Sequence, residues 1–340
     1  MNVLVTGANG FVGKQLCADL TKQGLVVKAA VRKHTVIESC IPVVTGNIDN
    51  TTHWSDALPN VDVVIHTAAR VHIMDDSSVE PLTEFRKINT AGTLNLARQA
   101  AEAGVKRFIF LSSIKVNGEM SGGSDKNCPH PSPLPEGEGV NSAFTEKDSF
   151  IPADPYGLSK YEAEQGLLAL AKETGLEVVI IRPPLIYGPG VKANFSSMMR
   201  WVNKGFPLPF GTIHNQRSLV ALDNLVSFII HCIDHPKAAN EVFLISDGED
   251  VSTTELLQKV AKALGKKSRL IPVPVWFMTL LAKLVGKSDV ANRLFGSLQV
   301  DSSKAQELLG WKPVITMDEQ LAKIVDVSAK GIVGLKSDLQ

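Results

Sequence analysis

The chain is poor in three things: cysteine at metal or disulfide spacing, net charge, and unbroken apolar sequence. Its four cysteines, Cys17, Cys40, Cys128 and Cys232, are scattered with no C-x-x-C pair. That argues against a zinc site or a disulfide framework, and it fits a reducing cytosol. Lys plus Arg and Asp plus Glu both number 35, a formal net charge of zero. Phosphate neutralisation needs a basic surplus, so no nucleic-acid partner is expected. The opening Met1-Asn2-Val3-Leu4-Val5-Thr6-Gly7 has neither a basic start nor a long apolar run, and reads as a strand rather than a signal peptide. The most lipophilic stretch, Ile271 to Val285, is broken by Pro272, Pro274 and Lys283. It is too interrupted to span ~30 Å of hydrocarbon and reads as a helix packed on the body. No metal and no membrane partner are expected, and a cytoplasmic location follows. There is no repeat at a solenoid period.

What is present is ample core material: 44% of the 340 residues are hydrophobic, a length of roughly two domains at ~150 residues each. Val3–Val5, Val26–Val31, Val61–His66, Phe108–Leu111 and Glu177–Arg182 read as strands. Phe11–Gln23, Glu84–Ala103 and Tyr156–Thr174 read as helices between them. Such alternation predicts an α/β fold with a parallel sheet covered on both faces. The rhythm changes after Pro183, so the expected layout is a first domain over 1–182, a smaller mixed substrate domain over 183–330 interleaved with it, and a tail over 331–340. Residues 122–141, rich in Gly and Pro, read as a flexible insertion.

Gly7-Ala8-Asn9-Gly10-Phe11-Val12-Gly13 lies between the first strand and the first helix. Glycines there permit a tight turn and close backbone approach to a pyrophosphate, and the helix N-terminus offers free N–H groups to it. This predicts a Rossmann-type, doubly wound sheet holding a nicotinamide dinucleotide. A carboxylate for the ribose hydroxyls is expected ~20 residues on, at the end of the second strand. That place reads Ala29-Ala30-Val31-Arg32-Lys33. Two cations in place of an acid favour NADP(H) over NAD(H), because Arg offers a planar fork to a 2′-phosphate.

Asp154-Pro155-Tyr156-Gly157-Leu158-Ser159-Lys160 combines an N-cap, a proline at the first helical position, and a Tyr and Lys four apart on one face. A phenol near pKa ~10 is a poor base at neutral pH. A neighbouring ammonium, a helix N-terminus and an oxidised nicotinamide would each favour the phenolate. Tyr156 is then the proton carrier for a carbinol or carbonyl whose carbon exchanges hydride. The strand Phe108–Leu111 ends in Ser112-Ser113, where a hydroxyl could steady the same substrate oxygen.

Together, Gly7-x-x-Gly10-x-x-Gly13, His66-Thr67-Ala68-Ala69, Asn89-Thr90-Ala91-Gly92-Thr93, Ser112-Ser113, Tyr156-x-x-x-Lys160 and Arg182-Pro183 resemble the extended short-chain dehydrogenase/reductase family. Asp301–Lys304 and Leu309–Pro313 resemble its closing segment. The resemblance implies Ser113, Tyr156 and Lys160 as the catalytic triad. It implies cofactor contacts from Gly7, Asn9, Gly10, Phe11, Val12, Gly13, Thr67, Ala68, Ala69, Lys160 and Pro183, with Asn47 and Ile48 beside adenine. Asn89 would be the family's helix-kinking Asn, and a homodimer is expected.

Ile114 and Lys115 stand where the family's sugar dehydratases carry Asp-Glu, so dehydration is not expected. Ser113–Gly118, Arg217–Val220 and Val300–Lys304 resemble the bacterial UDP-N-acetylquinovosamine dehydrogenases, 4-ketoreductases of surface-polysaccharide synthesis. With Arg32-Lys33, that makes a ketoreductase at C4 of a UDP-linked N-acetylhexosamine the leading expectation. The alternatives are a UDP-glucose or UDP-N-acetylglucosamine 4-epimerase, a hydroxysteroid-type dehydrogenase (Leu185 replaces an Asn common in sugar epimerases), and a non-catalytic nucleotide sensor. Expected substrate-binding residues are Ser112, Ser113, Lys192, Asn194, Arg217 and Arg293, with Arg217 gripping the diphosphate.

Overall fold

The computed structural model describes residues 1–71, 80–121, 143–148, 150–191, 193–284, 286, 291 and 294–337. The 122–141 insertion, with Cys128, lies outside them. Along the chain the strands are β1 (Asn2–Thr6), β2 (Val26–Val31), β3 (Ile41–Val44), β4 (Val63–His66), β5 (Arg107–Leu111), β6 (Glu177–Arg182), β7 (Leu185–Tyr187), β8 (Arg217–Ala221), β9 (Glu241–Leu244) and β10 (Asp250–Val251). The helices are α1 (Phe11–Lys22), α2 (Pro81–Phe85), α3 (Thr93–Glu102), α4 (Pro155–Thr174), α5 (Ala193–Lys204), α6 (Leu222–His231), α7 (Thr253–Ala263), α8 (Val275–Leu284), α9 (Ser303–Leu309) and α10 (Met317–Ser337).

Seven strands form the main sheet in the order β3-β2-β1-β4-β5-β6-β9, every pair parallel. Val178–Ile181 have no exposed surface, as a strand buried on both faces requires. On one face α1 and α6 bring Leu16, Leu20, Leu225 and Phe228 against Val3, Val5 and Val179. On the other, α3 and α4 bring Leu96, Ala100, Leu167 and Leu170 against Leu4, Val64 and Phe108. This is the Rossmann-like, doubly wound architecture. Strand order reverses between β1 and β4, and a crevice opens beyond the carboxyl ends of strands at such a point.

The second sheet has the order β10-β8-β7 and is mixed, with β7 and β8 parallel and β8 and β10 antiparallel. It closes a separate core around Tyr187, Phe195, Leu257 and Leu321. The chain after Pro183 nonetheless returns α6 and β9 to the main layers.

Three differences from the sequence reading have physical causes. β3 was not expected; it is an edge strand, largely exposed and carrying Pro42, which an edge tolerates because no inner neighbour needs its N–H. The single helix expected over Glu84–Ala103 is interrupted by a π-helical segment, Arg86–Gly92. Inside it Asn89 is pulled inward: Nδ2 donates to Ser159 Oγ at 3.0 Å and to the Arg70 carbonyl at 3.0 Å, and Oδ1 accepts from the Arg70 amide at 2.8 Å. One wide turn absorbs the extra residue, as π-bulges do. Finally, α8 was expected to pack on the body. It buries Met278 but leaves Trp276, Phe277, Leu280, Leu281 and Leu284 exposed, because a helix apolar all round has only one side against the protein. No helix among the described residues is long and apolar enough to cross a membrane. The described cysteines, Cys17, Cys40 and Cys232, are free thiols.

Candidate active site

The loop after β1 turns at Gly7, whose φ of +67° favours glycine, and closes with Gly10 N–H donating to the Gly7 carbonyl at 2.8 Å. A Cβ on Gly7 would lie 2.8 Å from the Ala68 nitrogen and 2.9 Å from Thr67 Oγ1. The loops after β1 and β4 therefore touch backbone to backbone at the switch point. Thr6 and His66 pin them: Thr67 Oγ1 donates to the Thr6 carbonyl at 2.7 Å, and Ala68 N–H to Thr6 Oγ1 at 3.3 Å. Helix α1 then begins at Phe11 with no side-chain cap and no acid in its first turn, while Asn9 and Gly10 are exposed. Its first N–H groups remain available to an anion. Val12 and Gly13 turn inward and are buried. The residues present thus fit a dinucleotide pyrophosphate. Arg32 and Lys33 are exposed immediately past β2. Asn47 and Ile48 follow β3, with Ile48 against Gly92 of the π-helical segment.

Helix α4 carries both Tyr156 and Lys160. Asp154 caps it, Oδ1 accepting from Gly157 N–H at 3.1 Å, and Pro155 opens it. One turn later Lys160 is 1% exposed. Its Nζ donates to the Leu111 carbonyl at the end of β5 at 2.9 Å and stands 4.4 Å from the centre of the Phe110 ring. Burial holds this amine down at about 7, against the opposing pull of the Glu164 carboxylate. The Tyr156 phenol is hydrogen-bonded to Ser113, yet it is pushed up to about 12, first by burial and then by the Asp154 carboxylate. The acidified phenol expected from the sequence is therefore not made by the protein alone. The charge nearest in sequence has the wrong sign, and the amine that would help is itself desolvated. Lys115 partly offsets Asp154, its Nζ lying 3.2 Å from Oδ1.

The two serines at the end of β5 diverge. Ser113 caps a short 3₁₀ turn, Oγ accepting from Lys115 N–H at 3.3 Å, and meets Tyr156. Ser112 is 4% exposed and donates its hydroxyl to Glu164, so it secures the strand end instead of facing the crevice. Pro183 sits behind this turn, its carbonyl accepting from Ile114 N–H at 3.0 Å.

His66 is buried and neutral, its pKa lowered to about 3 by burial and by the Lys160 charge. Thr93 Oγ1 donates to the Asn89 carbonyl at 2.6 Å, so at 3.0 Å it accepts from His66 Nε2–H. That assigns Nδ1 as the acceptor of the Thr6 hydroxyl at 2.7 Å. The chain of bonds joins the Ala68 loop to the π-helical segment, whose Asn89 reaches Ser159 of α4.

The structure brings residues of the expected site together in two groups at the carboxyl ends of neighbouring strands: Gly7 against Thr67 and Ala68 after β1 and β4, and Ser113, Tyr156, Lys160 and Pro183 around the end of β5. Arg217 stands at the start of β8, where its guanidinium donates to the Gly296 carbonyl at 3.0 Å. Lys192, Arg293 and the side chain of Asn194 lie outside the described residues. Among the described residues no cluster of three His, Cys, Asp or Glu is placed to share a metal ion. Sequence reasoning missed Glu164 and Asn117. The available signal was the spacing of Glu164, four residues beyond Lys160 on an otherwise buried face.

Comparison with known proteins agrees with this geometry. A model of the NAD dependent epimerase/dehydratase family matches residues 3–246. The chain is 53% identical over 320 residues to a UDP-glucose 4-epimerase of Vibrio cholerae, covering 94% of this chain and 92% of that protein. This relative is an epimerase, not a UDP-N-acetylquinovosamine dehydrogenase, which reverses the order of the two activities expected from the sequence. Among solved structures, the Thermotoga maritima UDP-glucose 4-epimerase with UDP-glucose superposes with a TM-score of 0.73 at 24% identity, covering 98% of this chain and all of that one (100%). MoeE5 in complex with UDP-glucose and NAD gives 0.73 at 25% identity, covering 98% and 100%. A parallel sheet with a glycine turn at its switch point, a Tyr–Lys helix beside it, and a family match over residues 3–246 make this chain an enzyme of the NAD-dependent epimerase/dehydratase family.

Proposed function

We propose that the chain is a UDP-hexose 4-epimerase working on a UDP-glucose-type substrate with a bound nicotinamide dinucleotide. The observation that carries this reading is the meeting of Tyr156 and Ser113 at the end of β5, beside the Gly7–Ala68 contact. The similarity to the Vibrio cholerae epimerase supports the choice of reaction. The dinucleotide, when bound, supplies the hydride acceptor and donor for the C4 carbinol. Gly7, Asn9, Gly10, Phe11, Val12 and Gly13 would cradle its pyrophosphate. Thr67, Ala68, Ala69 and Pro183 would line the ring side, and Asn47 and Ile48 the adenine side. Tyr156 Oη takes the C4 hydroxyl proton and later returns it. Ser113 holds the same oxygen, and Lys160 lends positive charge from the floor. A phenol pushed to about 12 is almost wholly protonated at neutral pH; the positive charge of an oxidised nicotinamide, if bound there, would favour its phenolate. Ile114 and Lys115 offer no acid for a leaving hydroxyl, which argues against dehydration. Arg217 is the reading's diphosphate contact, with Lys192, Asn194 and Arg293 as further candidates.

One observation favours a second reading, reduction of a 4-keto-sugar by NADPH: exposed Arg32 and Lys33 follow β2 where a ribose-binding carboxylate is absent. A single comparison separates the two. An epimerase interconverts UDP-glucose and UDP-galactose, followed by NMR, with no nicotinamide consumed. A reductase is inert in that assay and oxidises NADPH stoichiometrically when given a UDP-4-keto-sugar. Activity in neither assay rejects both.

A further inference from the structure

Behind the crevice lies a group of polar side chains that the chemistry above does not use. Glu164 is wholly buried and pairs with Arg182, which is 8% exposed, through a 2.5 Å contact from Nη2 to Oε2 and a 3.0 Å bond from Nε to Oε1. Glu164 also accepts the Ser112 hydroxyl. Arg182 Nη1 donates to Asn117 Oδ1 at 3.0 Å, and Asn117 Nδ2 donates to the Thr145 carbonyl at 2.8 Å. Three elements are joined here: α4 through Glu164, the turn after β5 through Ser112 and Asn117, and β6 through Arg182.

A buried ion pair is a poor source of stability, because desolvating both charges offsets most of their attraction. Its position is more informative. Glu164 is one helical turn beyond Lys160, on the same face of α4, and its Ser112 partner adjoins Ser113. We propose that Glu164 is a positioning residue: clamped by Arg182, it keeps the Ser112–Ser113 turn in register with the Lys160 segment of α4. It also provides Lys160 with a counter-charge. Around that amine, α4 contributes Glu164, β4 the neutral His66, and β5 the Leu111 carbonyl and the Phe110 ring. The Arg182 guanidinium of β6 lies across Glu164. Glu164 is the carboxylate among these that favours the ammonium.

This inference rests on the assigned roles of Ser113 and Lys160, and its test has an arm that needs no substrate. Lysine labelled with ¹³C at Cε is followed by NMR across pH in the full chain, and the Lys160 resonance is the one lost in Lys160→Met. In Glu164→Gln, which keeps the shape and an acceptor for Ser112, that resonance should titrate at lower pH than in the wild type. Glu164→Asp should bring it back toward the wild-type value. In the UDP-sugar assay, Glu164→Gln should lower kcat by about tenfold, the equivalent of one pKa unit, with KM changed less than about twofold and the alkaline limb moved to lower pH. If Glu164→Gln does not fold, the paired variant Glu164→Gln/Arg182→Gln removes both buried charges; loss of the guanidinium offsets part of the change, so a smaller downward shift is expected. An unchanged Lys160 midpoint in a folded variant overturns the proposal, even if the melting temperature has dropped. Failure of the wild type to turn over a UDP-sugar would count against the epimerase reading and leave the titration to decide the role of Glu164.

Discussion

The two walls of the crevice are built differently. On the wall made by β5 and α4, the polar side chains already have protein partners: Lys160 holds the Leu111 carbonyl, Ser112 and Arg182 hold Glu164, and Asp154 caps its helix. On the other wall, formed after Pro183, Leu185 is 49% exposed and Arg217, at a strand start, is half buried with its guanidinium on the Gly296 carbonyl. The first wall is preorganised, which is what electrostatic stabilisation of a reacting oxygen requires. The second is the more exposed of the two.

The largest effect that would sharpen the contrast belongs to the rigid wall. Tyr156→Phe should lower kcat by about 10³-fold, within the usual range for a lost general acid–base group. KM should move less than about twofold and the melting temperature hardly at all, as read by steady-state kinetics and calorimetry. On the open wall the expectation inverts. Arg217→Gln should raise KM for the UDP-sugar roughly 30-fold, the scale of a lost charge-assisted bond, with kcat nearly unchanged. An equal loss in kcat would erase the distinction between the walls.

A smaller effect tests the cofactor rim. Arg32→Ala should reduce the ratio of NADP to NAD binding affinity by about tenfold, the scale of a partly solvated phosphate contact, as read by calorimetric titration of the dinucleotides. Equal affinity of the wild type for both dinucleotides would remove the argument for NADP(H).

The smallest effect is on stability. Lys160 sits at about 7 in the folded chain against an ordinary 10.5. Between those values the unfolded chain carries more protons, so this residue's contribution to stability rises with pH across that interval. Lys160→Met should therefore raise the melting temperature by roughly 3 °C at pH 7 and below. The advantage should shrink toward pH 10.5, as measured by thermal unfolding over a pH series.

Much of the rigid wall was legible in advance. Gly7–Gly13 and Asp154–Lys160 are short, contiguous segments whose local geometry follows from turn, cap and helix spacing. The edge strand β3 and the π-helical turn around Asn89 were not legible from periodicity. One is too short and exposed to carry a pattern, and in the other the Asn89 side chain is held at once by Arg70 and Ser159, both distant in sequence. Glu164 was hidden for a similar reason: a carboxylate on a helix normally reads as solvated, and only Arg182 from β6 makes its burial possible. The raised phenol pKa of Tyr156 also depended on three-dimensional burial that spacing does not encode.

The central claim is that the Tyr156 crevice moves hydride away from C4 and back within one turnover. The direct measurement uses UDP-glucose deuterated at C4, with product analysed by mass spectrometry while nicotinamide absorbance is recorded. The account predicts UDP-galactose that retains its deuterium, with no net change in absorbance. Deuterium lost to solvent, or product formed only with equivalent loss of NADPH, would contradict it.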